Sequence, residues 1–250
     1  MNLAILTVNS PGEKIAKKLE VGLSKSSFKI TRIKINKTVS SKNYLAGIFK
    51  NCNGLIFISA LGIAVRFTSP FIKNKFIDPA VVCVDTEGRF AISVLSGHEG
   101  GANKLAYKVS EILDAIPVIT TGKEVRKIYI IGIGTRRGII KEKVKSGVIE
   151  VLKKAEITPE SVRLAATIDL KKDETGLKDA FSELGIPLVF MSKESIGNFK
   201  GNLASSEIVK RNIGLDGVCE PCALLAGRRT KLILKKLALD GMAIAIAKET

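Results

Sequence analysis

Short apolar runs alternate with stretches of helical spacing along this chain, and the alternation starts afresh past the midpoint; no other feature restricts the fold as much. Leu3 to Val8 is a strand-like run ending at Asn9, Ser10 and Pro11. Ser10-Pro11-Gly12-Glu13 then has the form of a helix start, with Ser10 as N-cap, Pro11 at the first position and Glu13 three residues after the cap. Ile15, Ala16, Leu19 and Leu23 follow at helical spacing. Phe28 to Ile35 predicts a second strand, Ser41 to Phe49 a helix, and Leu55 to Ile58 a buried strand. Ala80 to Val84 and Phe90 to Leu95 flank the turn Asp85-Thr86-Glu87-Gly88 and read as a hairpin. Ala102 to Leu113 predicts an amphipathic helix, and Pro117 to Thr120 the last strand of this half.

After Thr121-Gly122-Lys123-Glu124 the pattern begins again. Lys127 to Ile133, Val162 to Ile168 and Leu188 to Met191 predict strands, and Lys141 to Lys154, Leu177 to Leu184 and Ser205 to Arg211 predict helices. Leu232 to Leu237 and Met242 to Ala247 flank Asp240-Gly241, a hairpin turn. The fold class expected is α/β: two α/β domains with mainly parallel sheets, over residues 1–122 and 127–250, joined by a linker at 123–126. With 250 residues, 46% of them apolar, the chain is long enough to bury a core without disulfide staples.

Charge and cysteine content narrow the function. The net charge of +16 is shared by both halves and attracts anions: nucleic acid, an anionic membrane or a polyacidic small molecule. A lysine-rich surface that follows the host's composition gives the same charge. Aromatic residues are only 5%, Trp is absent, and no RNA-recognition or zinc-finger motif appears, which argues against nucleic acid. No stretch approaches the roughly 20 apolar residues of a membrane helix. Met1 to Val8 lacks the basic start and cleavage site of a signal peptide, so a cytoplasmic protein without membrane partners is expected. Cys52 and Cys83 sit in or beside apolar runs and read as core residues. Cys219 and Cys222 form a C-x-x-C; with His98 the one histidine in the chain, they make half a zinc site at most, and a redox pair is the alternative. No metal site is expected.

Glycine-rich loops that follow strands carry the chemistry. Ser96-Gly97-His98-Glu99-Gly100-Gly101-Ala102-Asn103 leaves a strand and opens a helix, where N–H groups favour negative charge. An imidazole exchanges protons near neutrality, which makes His98 a candidate base, with Glu99 beside it. The alternative is a tight turn with a capping histidine. Gly62-Ile63-Ala64-Val65-Arg66-Phe67-Thr68 offers Arg66 as a fork for a carboxylate and Thr68 as a hydroxyl donor, or else is a short helix with a solvated Arg. Asp78 is a turn former or an acid in a cleft. Gly132-Ile133-Gly134-Thr135-Arg136-Arg137-Gly138 suits carboxylates or phosphates, yet its spacing is neither the dinucleotide fingerprint nor a P-loop. Thr167-Ile168-Asp169-Leu170-Lys171 and Val218-Cys219-Glu220-Pro221 complete the set, the latter ahead of a short helical stretch.

With these motifs in this order, the chain resembles the CbiG family, cobalt-precorrin-5A hydrolases of anaerobic cobalamin biosynthesis. The resemblance runs through Gly62 to Arg66, Asp78 to Val82 and Ser96 to Ala106 in the first half. In the second half it runs through Gly132 to Gly138, Ala166 to Lys171 and Val218 to Pro221. Longer members carry a middle region that is absent between Ile119-Thr120-Thr121 and the second half. Gly-Thr-Arg-Arg stands where a Cys precedes the arginines in the family, and Cys222 stands where Ala is usual.

The resemblance implies that water opens the lactone of a cobalt-bearing, ring-contracted tetrapyrrole and that acetaldehyde leaves. It implies no organic cofactor, since cobalt arrives within the substrate. On that reading His98 and Glu99 are catalytic. Arg66, Thr68, Ser96, Gly97, Gly100, Gly101 and Asn103 bind substrate from the first half. Gly134, Thr135, Arg136, Arg137, Thr167, Asp169 and Glu220 bind it from the second. Expected partners are the tetrapyrrole itself and neighbouring cobalamin-pathway enzymes; a homodimer is left open. The alternatives are a non-catalytic corrinoid carrier, since the second half also resembles a small stand-alone protein of the aerobic pathway, and, more distantly, a nucleic-acid-binding protein.

Overall fold

A computed structural model describes residues 1–24, 28–35, 42–201 and 207–250. The chain divides into two units, Met1–Thr121 and Gly122–Thr250. The first contains β1 (Asn2–Thr7), α1 (Ser10–Ser24), β2 (Lys29–Lys34), α2 (Lys42–Asn51), β3 (Gly54–Ile58), α3 (Leu61–Thr68), β4 (Ala80–Val84), β5 (Phe90–Leu95), α4 (Ala102–Leu113) and β6 (Ile116–Val118). The second contains α5 (Gly122–Val125), β7 (Tyr129–Thr135), α6 (Lys141–Lys154), β8 (Val162–Ile168), α7 (Thr175–Leu184), β9 (Leu188–Met191), α8 (Lys193–Gly197), α9 (Glu207–Ile213), α10 (Cys219–Leu225), β10 (Thr230–Leu239) and β11 (Met242–Glu249). Both units are α/β, as the alternation predicts. The expected first turn of α2 at Ser41 and of α9 at Ser205 falls outside the described residues.

The first sheet has the order β2-β1-β3-β4-β5-β6 and is parallel except between β4 and β5, which form the expected hairpin. Alternate residues of its strands serve two cores. Leu3, Ile5, Ile56, Ile58 and Val82 pack with Ala16, Leu19 and Leu23 of α1 and Leu105 and Val109 of α4. Ala4, Leu6, Leu55, Phe57 and Val81 pack with Phe49 of α2 and Ala64 of α3 on the opposite face. A sheet buried on both faces explains the continuous apolar runs of β3 and β4. Each large side chain so buried contributes about 1.5–3 kcal/mol to this core.

The second sheet has the order β10-β11-β7-β8-β9. Strands β7, β8 and β9 are parallel, and the β10–β11 hairpin is antiparallel to them. Helices α6 and α7 cover one face through Val144, Val148, Val151, Leu177 and Phe181. On β7, a Cβ at Gly132 would lie 1.7 Å from the Cys219 carbonyl oxygen, so only glycine lets α10 rest on the strand. The hairpin turns at Gly241, with φ +80°.

Three local expectations are corrected. Asn9, not Ser10, caps α1: the Gly12 N–H donates to Asn9 Oδ1 at 3.0 Å, placing Ser10 and Pro11 inside the first turn. Pro11 is tolerated there because first-turn amides have no helical acceptor. The strand expected at Pro117 to Thr120 is β6 at Ile116–Val118, because Thr121 turns away to bond Asn103. Residues 122–125, read as part of a linker, are the short helix α5, closed by a Lys127–Glu124 ion pair at 2.9 Å. Among the described residues, no helix is long and apolar enough to cross a membrane.

Candidate functional site

The strand directions decide which loops of the first unit meet. Because β5 runs antiparallel to β4, Leu95 pairs with Val81 near the start of β4. The loop 96–101 therefore emerges at the edge where β1, β3 and β4 begin, not where they end. The turn after β3, at Ser59 to Gly62, leaves from the opposite edge, and α3 carries the chain back towards Asp78 and the start of β4. The expected β4–β5 hairpin thus puts the 96–101 loop and the turn after β3 on opposite edges of this sheet.

Within the loop, Ser96 takes φ +56°, a left-handed conformation that costs a non-glycine residue about 1–2 kcal/mol. It is only 6% exposed, and its Oγ has no hydrogen-bond partner among the described residues. A Cβ on Gly100 would fall 2.4 Å from Ser96 Cβ and 3.2 Å from the Asp78 carbonyl, so this turn demands glycine there. Gly97 lies against Thr121 and Asn103, and Gly101, at φ +85°, precedes α4. The first α4 amides are already used: Ala102 N–H donates to Ser96 O and Asn103 N–H to Gly97 O, at 3.2 and 2.9 Å. The simple reading of a free helix start for an anion is corrected accordingly.

Asn103 is buried; its Oδ1 accepts from Ser93 Oγ and its Nδ2 donates to Thr121 Oγ1, both at 2.8 Å. It clamps the loop from behind. His98 and Glu99 are exposed at the tip. Glu99 accepts from Lys75 Nζ at 2.8 Å, and that ammonium holds its carboxyl below the usual carboxylate range. Asp78 is buried, and both its oxygens accept from the Lys73 N–H, which makes it the turn former of the two readings. Arg66 is exposed in the last turn of α3, the helix anticipated as the alternative for this segment. Thr68 is buried and donates its hydroxyl to Ala64 O at 2.9 Å, so the hydroxyl serves the helix.

Gly100 also forms one wall of a cleft of about 900 Å³, together with Phe49, Lys50, Phe71, Lys73, Phe76 and Asp78. The sequence reading missed this segment after α3. Its signal was the interleaving of Phe71, Ile72, Lys73, Lys75, Phe76 and Ile77, apolar and basic residues without a strand or helix period.

In the second unit, β7 and β8 are parallel, so the loops after Thr135 and Ile168 share one edge. Arg136 N–H donates to Gly241 O at 2.8 Å, which ties the arginine loop to the hairpin. Gly134, Thr135, Arg136 and Arg137 line a cleft of about 730 Å³ with Lys171, Gly217, Cys219 and Lys236. Among the described residues, Thr135 Oγ1 and Asp169 Oδ1 find no hydrogen-bond partner; both are buried near the ends of these strands. Thr167 is fully buried, and its Oγ1 also lacks a partner among the described residues. Glu220 is buried in α10 and accepts the Lys236 N–H at 2.8 Å, a bond that joins α10 to β10. Lys171 lies within the Thr167-Ile168-Asp169-Leu170-Lys171 motif, two residues after Asp169, but was given no role, and Lys236 was not a sequence candidate because the strand pattern of β10 masks it.

Cys219 and Cys222 lie inside α10, not before it, and both are buried. Burial pushes the Cys219 thiol up to about 11 and the Cys222 thiol higher still. Neither thiol is set up as a thiolate, which weakens the redox reading. Among the described residues, no three His, Cys, Asp or Glu are grouped to hold a metal ion.

Residues 43–124 match the family described as Cobalamin synthesis G N-terminal, and residues 129–247 match Cobalamin synthesis G C-terminus. Two α/β units bearing both signatures define a protein of cobalamin synthesis. The chain belongs to the CbiG family. It is similar to "Cobalt-precorrin-5A hydrolase" of Priestia megaterium, 26% identical over 83% of this chain and 82% of the relative. It is also similar to "Probable cobalt-precorrin-5A hydrolase" of Methanocaldococcus jannaschii, 26% identical over 100% of this chain and 99% of the relative. That alignment spans 330 positions against 250 residues here, so the archaeal relative carries insertions that this chain lacks. "Protein CobE" of a Sinorhizobium species is 30% identical over 47% of this chain and 78% of its own length.

Proposed function

We propose that this chain hydrolyses the lactone of cobalt-precorrin-5A and releases acetaldehyde, giving cobalt-precorrin-5B, in the cytoplasm. The observation that carries the reading is the exposed His98 on a loop held in shape by Gly100 and Asn103, beside a cleft large enough for a macrocycle. Membership of a family with hydrolase relatives supports the choice of reaction.

His98 takes a proton from water as the water attacks the lactone carbonyl. The N–H groups of Gly100 and Gly101 face the developing oxyanion. The ring oxygen leaves as a hydroxyl and the carbonyl becomes a carboxylate. Deprotonation of that hydroxyl then breaks the adjacent carbon–carbon bond, the electron pair enters the conjugated macrocycle, and acetaldehyde departs. Glu99 is the weaker base for this step, because Lys75 holds its carboxylate form. In the first unit Arg66 is exposed, and a guanidinium fork suits a peripheral carboxylate of the substrate. No organic cofactor is needed; the cobalt belongs to the substrate.

The test is anaerobic incubation with the lactone-bearing cobalt substrate, with acetaldehyde assayed. Wild-type protein releases acetaldehyde, and His98→Ala loses about 10²-fold or more of that activity while staying folded. Near-normal release by His98→Ala removes the imidazole from the chemistry. The alternative of a non-catalytic carrier predicts binding of the macrocycle with no acetaldehyde from either protein.

A further inference from the structure

We infer that the macrocycle is seated in the first unit, in the cleft between α2 and the segment 70–79, with Phe76 as its stacking face and Lys73 and Lys75 as carboxylate clamps. This rests on the tetrapyrrole reading above and names the seat of the substrate, which no motif of the sequence marks.

Phe76 is 73% exposed, with Ile77 and Ile72 exposed beside it. Three large apolar residues in water on one short segment are an unpartnered surface. The surface is not purely apolar: Lys50 and Lys73 line the same cleft, and Lys75 is exposed next to it. Lys75 Nζ also lies 5.0 Å from the centre of the Phe76 ring. An exposed ring and apolar side chains beside ammonium groups suit a conjugated disc with carboxylates around its rim. A nucleic acid would need the same charge, but the rings here form the wall of a cleft and not a row along a groove. Behind the cleft, Phe71 packs on Phe49 with ring centres 5.8 Å apart, so the floor is anchored to α2.

The seat adjoins the proposed chemistry. Gly100 is part of the wall, and Lys75 already binds a carboxylate, that of Glu99, at 2.8 Å. A substrate carboxylate therefore meets a clamp preset for its own functional group. When it takes Lys75, Glu99 is released beside His98.

The experiment measures kcat and KM for acetaldehyde release from cobalt-precorrin-5A by wild type, Phe76→Ala, and the double variant Lys73→Gln/Lys75→Gln. The altered side chains are exposed, and unchanged circular dichroism and thermal midpoint confirm the fold. Each variant is expected to raise KM at least about tenfold, through loss of the stacking face in the first and of two charge-assisted contacts in the second. Lys17→Gln removes the same type of charge from the exposed face of α1 and is expected to leave KM unchanged. If the wild type turns over substrate and the cleft variants keep its KM, the seat is wrong and the reaction stands. If Lys17→Gln raises KM as much as they do, the lysines act only as a diffuse field and the clamp is wrong. If the wild type releases no acetaldehyde, the functional reading fails, and the seat fails with it.

Discussion

Asn103 Oδ1 accepts a hydrogen bond from Ser93 Oγ at 2.8 Å, which fixes the start of α4 against β5 below the His98 loop. The same side chain reaches Thr121 through Nδ2, so one amide joins three segments of the first unit. Asn103→Ala strands the buried Ser93 hydroxyl and frees Thr121. A loss of about 2–3 kcal/mol is expected, read as a lower urea midpoint. Acetaldehyde release should fall with it although Asn103 does not face the cleft.

Ser96 predicts the opposite sign. Ser96→Gly relieves a left-handed φ and removes a buried hydroxyl that has no partner among the described residues, against a smaller entropic penalty for glycine. A net gain of about 1 kcal/mol is expected, seen as a raised thermal midpoint. A lowered midpoint would show that the hydroxyl is bonded in solution.

The Lys75–Glu99 pair gives a pH signature. Hydrogen bonding to Lys75 lowers the Glu99 pKa, so Glu99 stays ionised to lower pH in the folded protein than in the unfolded chain. The small stability this confers is present above the unfolded pKa and is lost as pH falls through the folded one. In Lys75→Gln the Glu99 carboxyl should titrate at higher pH than in wild type, measured by carboxyl-carbon NMR. Coincident titrations would mean that the pair does not persist in solution.

The thiols of α10 should be inert. With Cys219 raised to about 11 and Cys222 beyond it, neither is a thiolate near neutrality. Iodoacetamide at pH 7.5 is expected to leave both unlabelled in the folded protein and to label both in denaturant. Cys222→Ala, which removes one buried sulfur, should cost about 1 kcal/mol and leave acetaldehyde release unchanged.

Much of the fold was legible because burial imposes a period. The strands β3, β4, β8 and β9 and the helices α4 and α6 agree closely with their apolar patterns. The start of α1 was misjudged by one residue because Asn9 and Ser10 are both good caps, and only backbone direction selects between them. Of the candidate site, the glycine loops were readable as turns. That Thr68 spends its hydroxyl on its own helix, and that Glu220 holds β10, could not be read, since either residue type caps, bonds backbone or binds ligand equally well.

Local pattern alone determined two α/β units, a glycine-rich loop carrying the lone histidine, and an excess of cationic groups, because each of these follows from residue type and spacing. Tertiary structure alone decided what faces that loop. The β4–β5 hairpin, readable from its turn, already returns the His98 loop to Asp78; what the tertiary structure adds is the facing wall from α2, Phe49 and Lys50, which no local period encodes. Where α2 packs is set by the core it shares with β1, β3 and β4, so the cleft beside the histidine is a property of the fold and not of its motif.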